Sequence, residues 1–289
     1  MAARATGEGG LEAAQRRLAS LPLRTPLVKL QATAPETAAE VWLKLENLQP
    51  IGSFKIRGAA RALAALDAEQ LARGVLTASA GNMAQGVAYC ARELGIAATI
   101  IAPDTAPQTK IAAIERLGGW VIQVPFADWW RCFETRSFPG VDATFIHAFD
   151  DPEVMAGNGV IAAELLQDRP DLEAVVVPWG GGGLACGIAA ELHNRAPHIK
   201  VYAAEVTTAA PLQAALAAGE PVDVAYQPSF VDGIGSRRVF ASMLVRAQQL
   251  LAGSLVVTLD ETAAAMRLVA ERNRVILEGA AACAVAAAM

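Results

Sequence analysis

Short runs of β-branched and apolar residues alternate with alanine-rich helical segments along the whole chain, and this alternation limits the fold more than any other feature. The strand-like runs are VWLKL, VLTAS, ATIIAP, WVIQVP, ATFIHAF, AVVVPW, VYAAEV and SLVVTLD. Between them lie helix-like segments such as NMAQGVAYCAREL, QTKIAAIERLG and EVMAGNGVIAAELL. Strands that alternate with helices usually pair in parallel, because each helix carries the chain back across the sheet. The sequence therefore predicts an α/β protein whose parallel sheets are covered by helices on both faces.

The composition is that of a compact protein with a large core. Of the 289 residues, 54% are apolar and 18% are charged, which is enough to fill one or two domains. The cysteines are Cys90, Cys132, Cys186 and Cys283, which are widely spaced and form no CxxC pair. This spacing argues against a zinc cluster and against a disulfide framework, so reduced core cysteines are expected.

Charge and hydropathy indicate which partners to expect. The net charge is -5 and there is no long basic run, which disfavours nucleic acid and anionic membranes as partners. No apolar run approaches the roughly 18 to 20 residues needed to span a bilayer. The opening MAARATGEGG is polar and acidic where a signal peptide would be apolar. The sequence predicts a cytoplasmic protein that binds a small molecule and no membrane.

Four glycines, Gly180 to Gly183, stand between the strand-like AVVVPW and a helical segment. Glycine allows a tight turn and a close approach of a ligand to the backbone, and a helix start directs its N–H groups at an anion. This pattern indicates a phosphate-binding loop, the alternative being a flexible turn. A Walker loop is excluded because no Gly-Lys-Ser/Thr follows.

A second junction of this kind follows the strand-like VLTAS. Ser79, Ala80, Gly81 and Asn82 are small or polar residues at the start of a helical segment. They can expose backbone amides to an anion, and Asn82 can either cap the helix or bind a ligand. A second anion site is therefore expected here, with an ordinary helix cap as the alternative.

Lys55 lies in SFKIRGAA, between Phe54 and Ile56 and next to Arg57. A lysine near a helix start is usually a solvated surface residue. Apolar flanks and a neighbouring positive charge instead favour a neutral amine, which can form a Schiff base. Together with the phosphate-binding loop, this lysine suggests pyridoxal phosphate as a cofactor.

Five motifs in this order, SFKIRGA, SAGNMAQG, GGGGL, VDGIG and EGAAA, resemble those of the fold type II pyridoxal-phosphate enzymes, in the threonine/serine dehydratase branch that includes serine racemase. The similarity runs from RTPL at 24–27 to the last residue. It implies that Lys55 carries the cofactor as a Schiff base and that Phe54 lies beside it. The other implied cofactor contacts are Asn82, Gly180, Gly181, Gly182, Gly183, Leu184, Gly233 and Glu278. The substrate carboxylate would be bound by Ser79, Ala80, Gly81 and Asn82.

The resemblance implies a β-elimination in which Lys55 is both anchor and base. A 3-hydroxy amino acid such as L-threonine or L-serine would lose water and then ammonia to give a 2-oxo acid. Bulkier substrates such as phenylserine or hydroxyaspartate are alternatives. So is a catalytically weak pyridoxal-phosphate binder. A replacement enzyme of the cysteine-synthase kind fits the motifs less well.

Several positions depart from the family pattern. Ala80 stands where the racemases have a serine that reprotonates Cα, so racemisation is not expected. Met83 replaces a common histidine, which leaves the substrate open. Glu205 matches a glutamate that binds a divalent cation in some relatives, but VTTAAP supplies no second carboxylate nearby. A cation at Glu205 is therefore an open alternative.

Other conspicuous residues are expected to be structural. Trp129 and Trp130 are expected to pack in the core, or else to form a wall against a bulky substrate. The histidines, His147, His193 and His198, form no catalytic pattern and are expected at the surface or satisfied in the core. Arg237 and Arg238 are expected to be solvated, unless hydroxyaspartate is the substrate.

The resemblance also implies an arrangement of two domains. Residues 1–72 and 148–289 would form a large cofactor-binding domain and residues 73–147 a small one, with the cofactor in the interdomain cleft. A homodimer or homotetramer is implied as well. In such relatives the chain continues past the EGAAA helix into another strand and a Ser-Gly-Gly-Asn turn. We therefore expect either a molecule without that strand or a piece of a longer reading frame.

Overall fold

The computed structural model describes residues 8–31 and 40–289. The helices are α1 (Glu8–Ala19), α2 (Lys55–Ala64), α3 (Ala68–Arg73), α4 (Asn82–Leu94), α5 (Gln108–Arg116), α6 (Phe126–Thr135), α7 (Pro152–Asp168), α8 (Gly183–Arg195), α9 (Pro211–Ala218), α10 (Ala241–Leu250), α11 (Leu259–Asn273) and α12 (Gly279–Ala288), with a 3-10 helix at Glu46–Leu48. The strands are β1 (Leu27–Lys29), β2 (Trp42–Lys44), β3 (Val75–Ala78), β4 (Ala98–Pro103), β5 (Trp120–Val124), β6 (Thr144–Phe145), β7 (Ala174–Pro178), β8 (Lys200–Val206) and β9 (Gly253–Val257).

The described residues form two compact units. The first comprises those up to Arg24 and Glu46–Asn158, and the second comprises Thr25–Leu45 and Gly159–Met289. Residues 73–147, the expected small domain, contain all four strands of one sheet, but the first unit also takes in residues outside that range. The domain boundaries drawn from the sequence stay a prediction.

The first unit is built on a parallel sheet with the strand order β5-β4-β3-β6. All four residues of β3 are buried, as expected for a central strand covered on both faces. Helix α4 packs closely on α2 because Gly86 has no side chain. A Cβ there would lie 3.3 Å from the Ala59 Cβ and from the backbone carbonyl carbon and oxygen of Lys55. This contact brings the first residue of α2 next to α4, at a point about one turn after α4 begins.

The second unit contains a parallel sheet of order β7-β8-β9. Helix α12 packs on it through Ala280 and Cys283, which share a buried cluster with Val206, Val231 and Val257. A small antiparallel pair, β1 with β2, belongs to the same unit. The predicted α/β class with helix-covered parallel sheets is confirmed by both sheets.

Two strand-like runs differ from the prediction. VWLKL forms β2, which pairs antiparallel with β1 and joins neither parallel sheet. ATFIHAF contributes only Thr144–Phe145 to the first sheet, and the backbone after Phe145 leaves the strand. A long connection joins α9 to α10, since no helix or strand lies between Ala218 and Ala241.

Among residues 8–31 and 40–289, no helix combines the length and apolar character needed to cross a bilayer. Residues 1–7, part of the opening segment whose composition argued against a signal peptide, lie outside the described residues. All four cysteines are buried and unbridged in the described residues, which confirms that they are core residues. Burial raises the pKa of Cys90 and of Cys283 to about 12.

Candidate active site

Lys55 is the first residue of α2, directly after Phe54 at the N-cap position. Its side chain is half-buried, and its Nζ donates a hydrogen bond of 2.8 Å to the Ala148 carbonyl oxygen. The Nζ atom also lies 5.3 Å from the centroid of the Phe54 ring. In these two contacts, a backbone carbonyl and an aromatic ring of the first unit hold the amine.

Arg57, two residues after Lys55, forms a buried ion pair with Glu46. The guanidinium is 3% exposed and donates to both carboxylate oxygens of Glu46, at 2.8 Å each. It also donates to the Leu23 carbonyl at 2.9 Å. Because Glu46 neutralises this charge, Arg57 anchors α2 to the 3-10 helix and to the segment before β1. The effect of Arg57 on the Lys55 amine, which the sequence suggested, stays a prediction.

The junction of Ser79, Ala80, Gly81 and Asn82 follows β3 and opens α4. Gly81 is the N-cap residue and supplies no side-chain cap, while Asn82 is the first helical residue. The Gly81 amide donates to the Ser79 hydroxyl at 3.2 Å, and a Cβ on Gly81 would meet nothing within 4 Å. The helix start is therefore open on the Gly81 side. Because Gly86 packs on Lys55, this junction and Lys55 lie in the same part of the first unit.

The glycine run lies in the second unit, between β7 and α8. Gly182 is the N-cap residue of α8 and has a left-handed backbone, with φ of 89°. A Cβ on Gly182 would overlap the Trp179 ring, lying 2.8 Å from its Cζ2 and Cζ3 atoms. The Trp179 side chain is 1% exposed, so a buried ring packs directly against the turn. Glycine at 182 is required by both the backbone angle and the ring.

Gly233 and Glu278 lie next to this run. A Cβ on Gly180 would lie 3.5 Å from the Gly233 carbonyl oxygen, and one on Gly233 would lie 3.8 Å from a carboxylate oxygen of Glu278. Leu184 is half-buried in the first turn of α8. The second unit thus contains all the residues after 179 that the sequence assigned to the cofactor, and it brings Gly180, Gly233 and Glu278 close together.

Glu205 is buried at 1% exposure in β8 and binds protein groups with both carboxylate oxygens. One oxygen accepts from the Leu212 amide at 2.8 Å. The other accepts from the Gln213 amide at 2.8 Å and from the Ser254 hydroxyl at 2.7 Å. Burial raises the pKa of Glu205, while these hydrogen bonds lower it. No cluster of three or more metal-ligating side chains occurs in the described ranges.

His147 is a buried histidine with satisfied contacts, which confirms the sequence expectation. It is 1% exposed, and its Nδ1 accepts from the amides of Phe149 at 3.3 Å and Asp150 at 2.9 Å. Burial lowers its pKa to about 4, helped by the positive charge of Arg136. The imidazole is therefore neutral near pH 7.

Lowering the pH is expected to destabilise the fold through His147 by about 3 kcal/mol. The unfolded histidine takes up a proton near pH 6.5 and the folded one only near pH 4. The unfolded state therefore binds more protons, and this part of the stability is lost as the pH falls from 6.5 to 4. Urea unfolding over this range should show a steeper loss for the wild type than for His147→Asn, which cannot titrate. Parallel pH dependences would contradict the assignment.

An aromatic cluster on α6 contacts this histidine through Phe133. Helix α6 carries Phe126, Trp129, Trp130 and Phe133 in mutual contact, with the Trp129 and Phe133 rings 5.1 Å apart. Phe133 lies 5.3 Å from the His147 ring. Trp129 and Trp130 are half-buried and pack on each other and on Phe133, so they are packed but not fully enclosed in the core. Their role as a substrate wall stays a prediction.

Residues 19–289 match the family model described as "Pyridoxal-phosphate dependent enzyme". The chain belongs to this family. Among relatives in the family, the L-threonine ammonia-lyase of Thermotoga maritima is 38% identical over 282 residues, covering 96% of this chain and 70% of that protein. The "L-threonine dehydratase biosynthetic IlvA" of Haemophilus influenzae is 40% identical over 255 residues, covering 88% of this chain. The chain spans only 50% of the Haemophilus protein's length.

Solved structures of the family agree with the fold. The processed form of threonine deaminase isoform 2 from Solanum lycopersicum superposes with a TM-score of 0.84 at 32% identity, covering 99% of this chain and 85% of that chain. Maize serine racemase superposes with a TM-score of 0.88 at 30% identity, covering 98% and 86%. The fold type II assignment made from the motifs is confirmed.

Sequence reasoning missed four contacts around the predicted residues. Ala148 holds the Lys55 amine, His147 binds the backbone next to it, Glu46 neutralises Arg57, and Trp179 supports Gly182. Of these, only Trp179 had a sequence signal, since a large ring beside four glycines is unusual. A backbone carbonyl such as that of Ala148 has no signature in sequence.

Proposed function

We propose that this protein removes water and ammonia from a 3-hydroxy amino acid, L-threonine or L-serine, with pyridoxal 5'-phosphate as cofactor. The observation that carries the proposal is the Lys55 amine, held at the start of α2 by the Ala148 carbonyl, in a chain whose relatives are L-threonine ammonia-lyases. A solved L-serine ammonia-lyase from Rhizomucor miehei also superposes, with a TM-score of 0.79 at 26% identity.

The residues present fit this cofactor. In the second unit, the left-handed turn at Gly182 and the start of α8 form a site without side chains, suited to a phosphate group. Gly233 and Glu278 would lie beside the ring. In the first unit, Lys55 would bind the cofactor covalently, with Phe54 beside it, and Asn82 would bind the ring hydroxyl. When bound, pyridoxal phosphate withdraws electrons from Cα of the amino acid and stabilises the charge left by proton removal.

The chain's own residues would then bind the substrate and move a proton. The open start of α4, at Ser79, Ala80, Gly81 and Asn82, would bind the substrate carboxylate through backbone amides and the positive end of the helix. The Lys55 amine would take the proton from Cα. Loss of that proton with the Cβ hydroxyl removes water, and hydrolysis of the unsaturated amine yields a 2-oxo acid and ammonia.

The structure bears on the choice of substrate at two places. Ala80 has no hydroxyl to donate a proton to Cα, so elimination is proposed in preference to racemisation. Arg238 forms an ion pair with Asp223 at 2.9 Å, so it is less suited to a second substrate carboxylate. L-Threonine and L-serine are therefore proposed ahead of hydroxyaspartate, and phenylserine tests whether the α6 aromatic cluster accommodates a ring.

The function is tested by incubating the cofactor-loaded protein with L-threonine, L-serine, phenylserine and hydroxyaspartate while 2-oxo acid and ammonia are measured. Equimolar release of both products from L-threonine or L-serine supports the proposal. Release only from phenylserine would move the substrate to the bulkier class. Cofactor binding without any release would favour the catalytically weak pyridoxal-phosphate binder.

A divalent cation at Glu205 stays the open alternative that the sequence left, and the contacts of Glu205 argue against it in a way that can be tested. Both oxygens already accept hydrogen bonds, and a cation would displace at least one of these donors. We expect Mg²⁺ or Ca²⁺ to leave the Tm unchanged, and Glu205→Gln to cost about 1–3 kcal/mol, because an amide group would face a backbone or hydroxyl donor. A Tm that rises and saturates with cation concentration, and does so only in the wild type, would establish the cation site.

The homo-oligomeric state and the cytoplasmic location also stay predictions from the sequence. Light scattering on the purified chain distinguishes a monomer from a dimer or tetramer.

A further inference from the structure

The backbone after β6 is fixed on the side that joins the sheet. The Ile146 amide donates to the Leu76 carbonyl at 2.7 Å, and the Thr77 hydroxyl donates to the Ile146 carbonyl at 2.8 Å. Two residues later, the Ala148 carbonyl accepts from Lys55 Nζ at 2.8 Å. The Ala148 carbonyl therefore points at the Lys55 amine, and turning it away would break this hydrogen bond.

His147 contacts the peptide bond between Ala148 and Phe149. Its Nδ1 accepts from the amide of Phe149, which belongs to the same peptide unit as the Ala148 carbonyl. Because a trans peptide is planar, its N–H and C=O groups point in opposite directions. No cis peptide bond occurs in the described residues. With the N–H turned to His147, the Ala148 carbonyl is turned away from it, towards Lys55. The second bond, from the Asp150 amide at 2.9 Å, holds the next peptide as well.

This arrangement requires a neutral imidazole with its hydrogen on Nε2. The ring is enclosed by Phe133, Phe145 and Phe149, with centroids 5.3, 6.0 and 4.5 Å away. The charged groups that act on it are Arg136, Asp150 and Lys55, of which the two cations disfavour an imidazolium. Arg136 donates to the Asp150 carbonyl at 2.8 Å and pairs with its carboxylate at 3.6 Å.

We propose that His147 is a positioning residue that aims the Ala148 carbonyl at Lys55, and that this carbonyl holds the amine whenever the substrate has replaced it on the cofactor. The inference rests on the proposed function and adds to it. A Lys55 amine held in one place is oriented for proton transfer. It should therefore transfer the proton faster than a mobile amine of the same basicity. His147 acts through the backbone and does not touch the reacting atoms.

The test compares His147→Asn with His147→Phe in the cofactor-loaded protein. The Asn Oδ1 occupies the same bonded position as Nδ1 and can accept the same two amides, whereas Phe packs in the cluster but accepts none. We expect His147→Phe to lower kcat for L-threonine about 10- to 100-fold with KM within about threefold, and His147→Asn to stay within about threefold of the wild type. Should His147→Phe fail to fold, His147→Gln gives the same contrast, because its acceptor is one bond further from the backbone.

A second readout does not depend on turnover. L-Alanine cannot eliminate, but it competes with Lys55 for the cofactor and shifts the absorbance of the bound cofactor. If the Ala148 carbonyl stabilises the released amine, His147→Phe should raise the apparent Kd of L-alanine about tenfold, and His147→Asn should not. Thr77→Val is the matched control, since it removes a hydrogen bond to the same backbone segment, at Ile146, and leaves the His147 contacts intact.

The outcomes distinguish a failure of the His147 proposal from a failure of the proposed function. Equal losses in His147→Asn and His147→Phe, or a loss of the same size in Thr77→Val, would overturn the role of His147, because general loosening of the segment would then explain the data. Unchanged kcat and an unchanged L-alanine Kd in His147→Phe would overturn it too. A wild type that binds the cofactor and L-alanine but releases no 2-oxo acid would contradict the proposed function, while the L-alanine titration would still decide the role of His147.

Discussion

Replacing Lys55 by alanine is expected to lower the rate of 2-oxo acid formation by roughly 10³-fold or more. The amine would serve as the covalent anchor of the cofactor and as the base at Cα, and a positioned base alone contributes about 10² to 10⁴ in rate. In the structure, Lys55 Nζ is the group that the Ala148 carbonyl holds. The measurement is steady-state turnover of L-threonine, with the absorbance spectrum of the loaded protein recorded alongside.

Lys200→Ala is the matched control, because Lys200 is an exposed lysine at the start of β8 in the second unit. Its turnover and spectrum should equal those of the wild type. In Lys55→Ala, the covalent absorbance band should disappear, and small primary amines added to the solution should restore part of the activity. A Lys55→Ala variant that keeps more than a tenth of the wild-type rate would refute the assignment of Lys55 as the base.

Replacing Gly182 by alanine is expected to weaken cofactor affinity at least tenfold and to destabilise the protein by about 2–4 kcal/mol. The new methyl group would meet Cζ2 and Cζ3 of Trp179 at 2.8 Å, on a backbone with φ of 89°. The ring is buried, so the turn must move instead, and with it the amides at the start of α8. Equilibrium dialysis with pyridoxal phosphate measures the affinity, and thermal unfolding measures the stability.

Gly219→Ala separates the two causes. Gly219 has a similar φ of 79°, but a Cβ there would meet nothing within 4 Å. It should therefore show only the cost of a left-handed alanine, about 1 kcal/mol, with normal cofactor affinity. Adding Trp179→Leu to Gly182→Ala should recover part of the loss. Equal effects of Gly182→Ala and Gly219→Ala would mean that the Trp179 ring is not the obstacle.

The parts of the site that rest on local patterns could be predicted from the sequence. Lys55, the glycine run and the junction at Ser79–Asn82 each lie where a helix begins, as their composition indicated. Glycines and small polar residues at such points have a direct meaning for the backbone, so the parallel sheets and the helix starts followed from the chain alone.

The remaining parts depend on contacts that are distant in sequence. Lys55 meets Ala148 across 93 positions, and the contact uses a backbone oxygen that any residue would supply. Arg57 was expected to act on Lys55, but it forms an ion pair with Glu46, which lies on a 3-10 helix that no sequence pattern predicted. VWLKL has the composition of a parallel strand, yet its partner β1 is too short to be recognised. In each case the fold supplies the neighbour that decides the role of the residue.

The contact between Gly86 and the backbone of Lys55 has a consequence for variation in this protein. Gly86 has no reactive side chain and lies outside the glycine run. A Cβ there would nevertheless lie only 3.3 Å from the Lys55 carbonyl group and from the Ala59 Cβ. In a library randomised at 59 and 86, surviving pairs should keep the combined size of the two side chains small. The side chains tolerated at positions 59 and 86 are thus limited by the close packing of α4 against the first residue of α2, which is Lys55.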